Sequence, residues 1–203
     1  MQPPPEQEAR WPVSSSNRPE TKSRLIIRPG TPEDAADIAR VQVDSWRDTY
    51  ADILPEAYLA RLSVTERVRQ RRVILAGLGH AKATFVVDDT QYGILGFADC
   101  GPARQLQSRP TGEFYAIYLL PEAQGLGIGR IMVASMAEHL RRHGMDQAVA
   151  WTLSDNRGAC WFYERLGGAV VADRTMVFAG RTYVETGYGW DDLTALSRHS
   201  AVR

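Results

Sequence analysis

The sequence predicts one mixed α/β (α+β) domain, a single sheet flanked by helices, and three observations predict it. Apolar runs of strand length alternate with helical patterns in the order strand, helices, three strands, helix, strand, helix, two strands. Two pairs of the strand runs are joined by short turn segments, which calls for hairpins and hence antiparallel pairing. At 203 residues and 44% hydrophobic content the chain can bury one core and is too short for two.

Residues 1–23 are rich in Pro, Ser, Glu, Gln and Arg, with Trp11 and Val13 as the main apolar side chains. So little apolar surface cannot offset the entropy of ordering them, and a flexible tail is expected before a domain over 24–192. Leu25 to Arg28 reads as a strand ended by Pro29-Gly30. Thr31, Pro32, Glu33 and Asp34 then open a helix with a cap, a proline at N1 and acids in the first turn, running to about Arg47. Residues 52–76 read as helical in pieces, with Pro55 near one start and Ser63 capping a second, until Gly77 and Gly79 stop them. Runs at 83–87 and 94–100 form a hairpin, 102–112 a polar loop, and 113–120 a third strand of that group. A helix follows with Ile128, Met132, Met136 and Leu140 at i, i+4 spacing, then a strand at 148–153 and a short helix from Asn156 to Leu166, ended by Gly167-Gly168. Strands at 169–178 and 182–190, separated by Ala179-Gly180-Arg181, close the domain, and 193–203 is expected to be a C-terminal tail.

Charge narrows the function. Lys plus Arg and Asp plus Glu number 24 each, so no bulk field draws the chain to nucleic acid or an anionic membrane, and charged ligands must be recognised locally. No apolar run approaches the roughly 20 residues of a membrane span. The start, Met1-Gln2-Pro3-Pro4-Pro5-Glu6, has neither a basic region nor an apolar segment, so a cytoplasmic protein is expected. Cys100 and Cys160 are too few for a disulfide framework and lack metal-ligand spacing, so neither disulfide nor metal is expected.

The most telling stretch is Gln124-Gly125-Leu126-Gly127-Ile128-Gly129-Arg130, between a strand and a helix. Glycines at alternate positions allow φ > 0 and let several backbone N–H groups converge on an anion, to which the helix adds its positive end. A cation such as Arg130 in a first helical turn is disfavoured by about 0.3–1 kcal/mol unless something negative sits there. The alternative is an ordinary glycine-rich turn with a solvated arginine. A dinucleotide fingerprint would need a third glycine where Arg130 stands, and a Walker loop would need G-K-[ST].

Instead, Gln124-x-x-Gly127-x-Gly129 resembles the acetyl-CoA pyrophosphate loop of the GCN5-related N-acetyltransferase (GNAT) superfamily. Asn156-x-x-Ala159-x-x-x-Tyr163-Glu164-x-x-Gly167 is similar to that family's second signature, on the helix after the next strand. The resemblance covers about residues 24–190. Gly168 departs from it, because many members carry an aromatic residue there. The resemblance implies a GNAT-like acyl-CoA N-acyltransferase fold, with a central mixed, mostly antiparallel sheet flanked by helices. It implies acetyl-CoA as cosubstrate, with coenzyme A as product.

It also implies roles. The loop from Gln124 to Arg130 would hold the pyrophosphate, the backbone of Ile117, Tyr118 and Leu119 the pantetheine amides, and Asn156 would cap its helix and steady the pantetheine arm. Acetyl transfer to an amine needs a deprotonated amine, a stabilised oxyanion and a proton for the departing thiolate. Glu113 matches the family's strand base, acting directly or through water, and its alternative is a strand-end glutamate in solvent or paired with Arg104 or Arg109. Tyr163 matches the family's thiolate acid, and its alternative is a core tyrosine. Cys160 has no evident basic partner, so direct transfer in a ternary complex is expected rather than an acyl-enzyme.

The acceptor is a small-molecule or peptide amine, and its site is the least specified. Trp46 and Tyr50, one helical turn apart, and Tyr115, on the face of Glu113, are the candidate acceptor contacts, with Phe178 and Arg181 flanking the last hairpin turn. Asp44, Asp48 and Asp52 recur every four residues, either as an amine-attracting stripe or as a solvated face neutralised by Arg40 and Arg47. A non-catalytic acyl-CoA sensor remains the competing function, and open sheet edges offer a surface for a homodimer.

Overall fold

A computed structural model describes residues 25–104 and 111–197. The expected N-terminal tail, Arg109 and residues 198–203 lie outside the described residues. One seven-stranded sheet runs in the order β1-β2-β3-β4-β5-β7-β6, built from β1 (Leu25–Pro29), β2 (Ala83–Asp89), β3 (Gly93–Pro102), β4 (Thr111–Leu119), β5 (Gln147–Leu153), β6 (Ala169–Phe178) and β7 (Arg181–Trp190). Every neighbouring pair is antiparallel except β4 with β5, which is parallel, so the expected mixed, mostly antiparallel sheet is present.

The helices divide between the two faces. α4 (Ile128–Arg142) buries Ile128, Met132, Met136 and Leu140, the predicted stripe, in a core with Phe114, Ala150 and Trp190. α5 (Arg157–Arg165) joins that core through Cys160 and Tyr163. On the other face, α1 (Ala35–Thr49) sets Ala35, Ile38 and Val41 on Val86, Ile94 and Phe97, beside α3 (Val64–Ala76). The short α2 (Glu56–Ala60) adds Leu59 to a third cluster that reaches Tyr183 on β7. Ser63 caps α3 as its sequence position requires, accepting from Glu66 N at 3.3 Å.

Three expectations are corrected. The domain does not stop at 192: Leu193 is fully buried, its N–H donates to Asp146 O at 2.9 Å, and α6 (Thr194–Ser197) packs on α4. The last hairpin turns on two residues, not three. Phe178 pairs with Arg181, and Ala179 (φ 49°) and Gly180 (φ 75°) both take the positive φ that a type I′ turn demands. Arg40 and Arg47 do not neutralise an acidic stripe: they donate to the carbonyls of Ile94 (2.8 Å) and Leu62 (3.0 Å). Asp44, Asp48 and Asp52 are exposed, and Asp52 lies beyond the end of α1.

Candidate active site

Two features of β4 create an opening in the sheet. Its pairing with β5 runs only from Thr111–Gln147 to Phe114–Ala150, after which β4 stays with β3 and β5 with β7. The residues of β4 from Tyr115 to Leu119 therefore have no strand partner on the β5 side. In the same place β4 carries a bulge: Phe114 opposes Cys100 and Ala116 opposes Asp99, leaving Tyr115 between them. The expected backbone binders Ile117, Tyr118 and Leu119 line this fork.

The glycine loop closes one end of it. Gln124 Nε2 donates to Leu119 O at 2.9 Å, tying the loop to β4. Gly125 (φ 72°) and Gly127 (φ 79°) adopt left-handed conformations, and Gly127 is the N-cap of α4, with no side chain bonded to the helix's first N–H groups. The Arg130 N–H donates to Gly127 O at 3.1 Å, while the N–H groups of Ile128 and Gly129 precede any intrahelical acceptor, so the turn from Gly125 to Gly129 presents free main-chain donors with Arg130 exposed beside them. Gly129 also serves packing: a Cβ there would come within 3.1 Å of the Phe162 ring on α5. The chemistry of this turn and fork fits a pyrophosphate joined to an extended amide chain.

Behind the fork, the polar tips of four predicted residues gather. Tyr50 is raised above the ordinary phenol range by burial, opposed by contacts with Tyr118 and Asn156. Tyr118 is held well above it by burial and by Tyr50. Tyr163 is pushed up by burial, with lesser contributions from Tyr50 and Cys160, so its hydroxyl keeps its proton throughout the physiological range. Asn156 caps α5, accepting from Ala159 N at 3.1 Å. Trp46 joins the group edge-on to Tyr50 at 5.2 Å, with its indole N–H acting on the Tyr118 hydroxyl.

Glu113 sits elsewhere, at the base of the fork opposite Val149, and is only 2% exposed. One oxygen accepts from Nε and a terminal nitrogen of Arg104, the other from the Arg104 backbone N–H at 2.9 Å. The pairing with Arg104 that the sequence left open is therefore present. Arg104 also covers the Tyr115 ring at 5.1 Å, whose phenol is pushed up to about 12, first by burial and then by Glu113. Cys160 lies against the carbonyls of Leu153 and Ser154 and beside the Tyr188 hydroxyl, with no basic side chain among these contacts.

The space that an aromatic residue at position 168 would take is filled from β7. A Cβ on Gly168 would lie 2.7 Å from the Trp190 ring, and Trp190 Nε1 donates to Leu166 O at 3.0 Å. Sequence reasoning missed several residues of the first-helix side. Tyr58 on α2 stacks edge-on with Phe178 on β6 at 4.6 Å, Trp46 lies 6.4 Å from the same ring, and Tyr183 packs there with its hydroxyl buried and without a hydrogen-bond partner among the described residues. Arg174 and Glu185 face each other on the hairpin at 2.7 Å. A two-residue turn would have predicted that pairing from register alone. Among the described residues there is no group of three or more His, Cys, Asp or Glu able to hold a metal, and no helix long and apolar enough to cross a membrane.

Comparison with known proteins agrees with this geometry. The model of the acetyltransferase (GNAT) family matches residues 43–168. YuaI of Bacillus subtilis (strain 168), an uncharacterized N-acetyltransferase, is 39% identical over 175 residues, covering 85% of this chain and 96% of that protein. The chain belongs to the GNAT family. Among solved structures, YncA of Salmonella typhimurium with acetyl-CoA superposes with a TM-score of 0.63 at 25% identity, over 84% of this chain and 95% of that one. The PaiA N-acetyltransferase of Thermoplasma acidophilum with coenzyme A gives 0.60 at 18% identity, over 80% and 98%.

Proposed function

We propose that this chain moves the acetyl group of acetyl-CoA directly to a primary amine within a ternary complex. The observation that carries this reading is the juxtaposition of a side-chain-free helix N-terminus, an unpaired length of β4 and a buried, protonated tyrosine behind them. When bound, acetyl-CoA supplies an acetyl thioester. Gln124 through Arg130 would hold its pyrophosphate, and the main chain of Ile117, Tyr118 and Leu119 its pantetheine amides, with Asn156 beside the arm. Tyr163 holds a proton at its hydroxyl for the thiolate sulfur, a donor role suited to a phenol that does not ionise near neutral pH. A backbone N–H of the open β4 segment serves the carbonyl oxygen.

Glu113 takes the amine's proton through a water. Arg104 occupies both carboxylate oxygens in part, yet a carboxylate offers about four lone-pair positions and three are used, which leaves one on the oxygen that accepts the backbone N–H. The guanidinium fixes the carboxylate in place. Trp46, Tyr50 and Tyr115 border the acceptor.

Calorimetry with acetyl-CoA and with NADH, followed by thiol release on a panel of primary amines, tests the reading. Acetyl-CoA should bind in the range of about 1 μM to 1 mM usual for enzyme substrates, and at least one amine should accelerate thiol release. Binding of NADH in place of acetyl-CoA would overturn the reading. Binding of acetyl-CoA with no amine-dependent release would make the protein an acyl-CoA sensor.

A further inference from the structure

Of the acid–arginine pairs on the sheet face that carries α1 and α2, the two beside the fork differ in what each carboxylate has left over. Glu113 accepts three hydrogen bonds, all from Arg104. Glu185, whose side chain is 16% exposed, accepts one, from Arg174 Nε to Oε2 at 2.7 Å. Its Oε1 has no hydrogen-bond partner among the described residues. That oxygen is not among the sealed, unpartnered polar atoms of the structure, so it is open to a donor that arrives from outside.

Position says what that donor is. Along a strand alternate residues share a face, so Glu185 lies on the side of Tyr183, across from Arg174, Met176 and Phe178 on β6. Tyr183, Met176 and Phe178 pack into the cluster of Trp46, Tyr50 and Tyr58. Glu185 and its partner Arg174 thus border an aromatic and apolar cluster, and Glu185 pairs with Leu153 at the β5 edge of the fork. Its charge is felt at Tyr50 behind the fork and at Arg104 beside Glu113. Arg174 is committed as support: its guanidinium lies 4.0 Å above the Trp151 ring, which can lie flat there because a Cβ at Gly187 would stand 2.9 Å from it. A carboxylate with a free oxygen, bordered by aromatic rings, suits a cation on an apolar body.

We propose that Glu185 receives the ammonium of the acceptor and that the acceptor is a primary amine carried on an aromatic or apolar body. This rests on the acetyl-transfer reading for its chemistry, though not for its test. With the protein saturated with coenzyme A, the binding of 2-phenylethylamine and of its uncharged counterpart 2-phenylethanol is measured by calorimetry. The wild type should prefer the amine at least about tenfold, a difference of about 1.4 kcal/mol. Glu185→Gln should abolish that preference while leaving acetyl-CoA affinity unchanged, and Glu185→Asp, which keeps charge and partner, should retain part of it.

A wild type that binds both compounds equally, or a Glu185→Gln protein that still prefers the amine, overturns the inference. Should the Gln variant melt earlier than the wild type, the Asp variant decides alone, and loss of all preference there with an intact fold overturns it too. Thiol release with 2-phenylethylamine is followed in parallel. Charge-dependent binding without release leaves Glu185 as the ammonium site and removes acetyl transfer. Release on other amines that Glu185→Gln does not slow keeps acetyl transfer and removes Glu185.

Discussion

At the junction of β4 and α4 the groups offered to a ligand belong to the main chain: the N–H groups around Gly125 and Gly127, and the unpaired edge of β4 from Tyr115 to Leu119. On the side of α1, α2 and the β6–β7 hairpin they belong to side chains that meet from distant elements. Trp46 and Tyr58 come from helices, Phe178 and Glu185 from the last hairpin. A main-chain site is written locally, because only glycines and a strand–helix junction are needed. A side-chain site exists only after the chain has folded, and any pair of elements can bring different residues to it.

Tyr163→Phe separates the two sides most sharply. The variant keeps the ring that packs on Tyr188 and Trp190 and removes only the hydroxyl. Loss of a proton donor should lower kcat by about 10²-fold or more, with acetyl-CoA affinity and amine KM within about twofold of wild type. An unchanged kcat removes Tyr163 from the acid role and leaves it a core residue.

Gly127→Val breaks the main-chain side. A β-branched residue at φ 79° is strained by about 2 kcal/mol, although a Cβ there meets nothing within 4 Å. If the strain is relieved by distorting the turn, acetyl-CoA affinity falls by roughly 30-fold, while discrimination between 2-phenylethylamine and 2-phenylethanol stays. Calorimetry reads both. Phe178→Ala is the reverse experiment. It removes the ring that touches Tyr58 and Trp46 and should raise the KM of the best amine by about tenfold, roughly the worth of an aromatic contact and its burial, without moving acetyl-CoA affinity. Equal losses on both sides in either variant would mean that the two are not separate.

The same contrast explains what could be read in advance. The element order, the left-handed glycines of the loop before α4, the Ser63 and Asn156 caps and the α4 stripe all follow from short-range rules, and each is present. The hairpin turn was misjudged by one residue because Ala179 takes a left-handed φ that alanine rarely adopts, and with it went the register that pairs Arg174 with Glu185. The end of the domain was misjudged because Leu193 and Leu196 belong to no periodic segment long enough to read, and their burial depends on α4 being in place. Glu113 was legible as a strand glutamate, but its three hydrogen bonds from Arg104 need the chain to turn back beyond β3.

A control lies in a region that neither side uses. Asp34 accepts from Thr31 N at 2.8 Å and from both terminal nitrogens of Arg28, at 2.8 and 2.9 Å, just before α1. The hydrogen bond from Arg28 is the main cause holding its carboxyl below the ordinary value, against the opposing effect of burial. A carboxyl depressed in the folded state adds stability that is complete above its unfolded value, about 3.9, and is lost as the pH falls through the folded one. Because Arg28 is about one-third exposed, solvent screening limits the contribution to about 1 kcal/mol. Asp34→Asn should therefore unfold at lower urea concentration than wild type at pH 7, with the gap narrowing below about pH 4 as the wild-type carboxyl takes up its proton. Acetyl-CoA affinity and the preference for 2-phenylethylamine should both be untouched. If either moves with this substitution, the α1 start is coupled to that side of the site, and the losses seen in Gly127→Val and Phe178→Ala must be corrected for stability before they are assigned to contact.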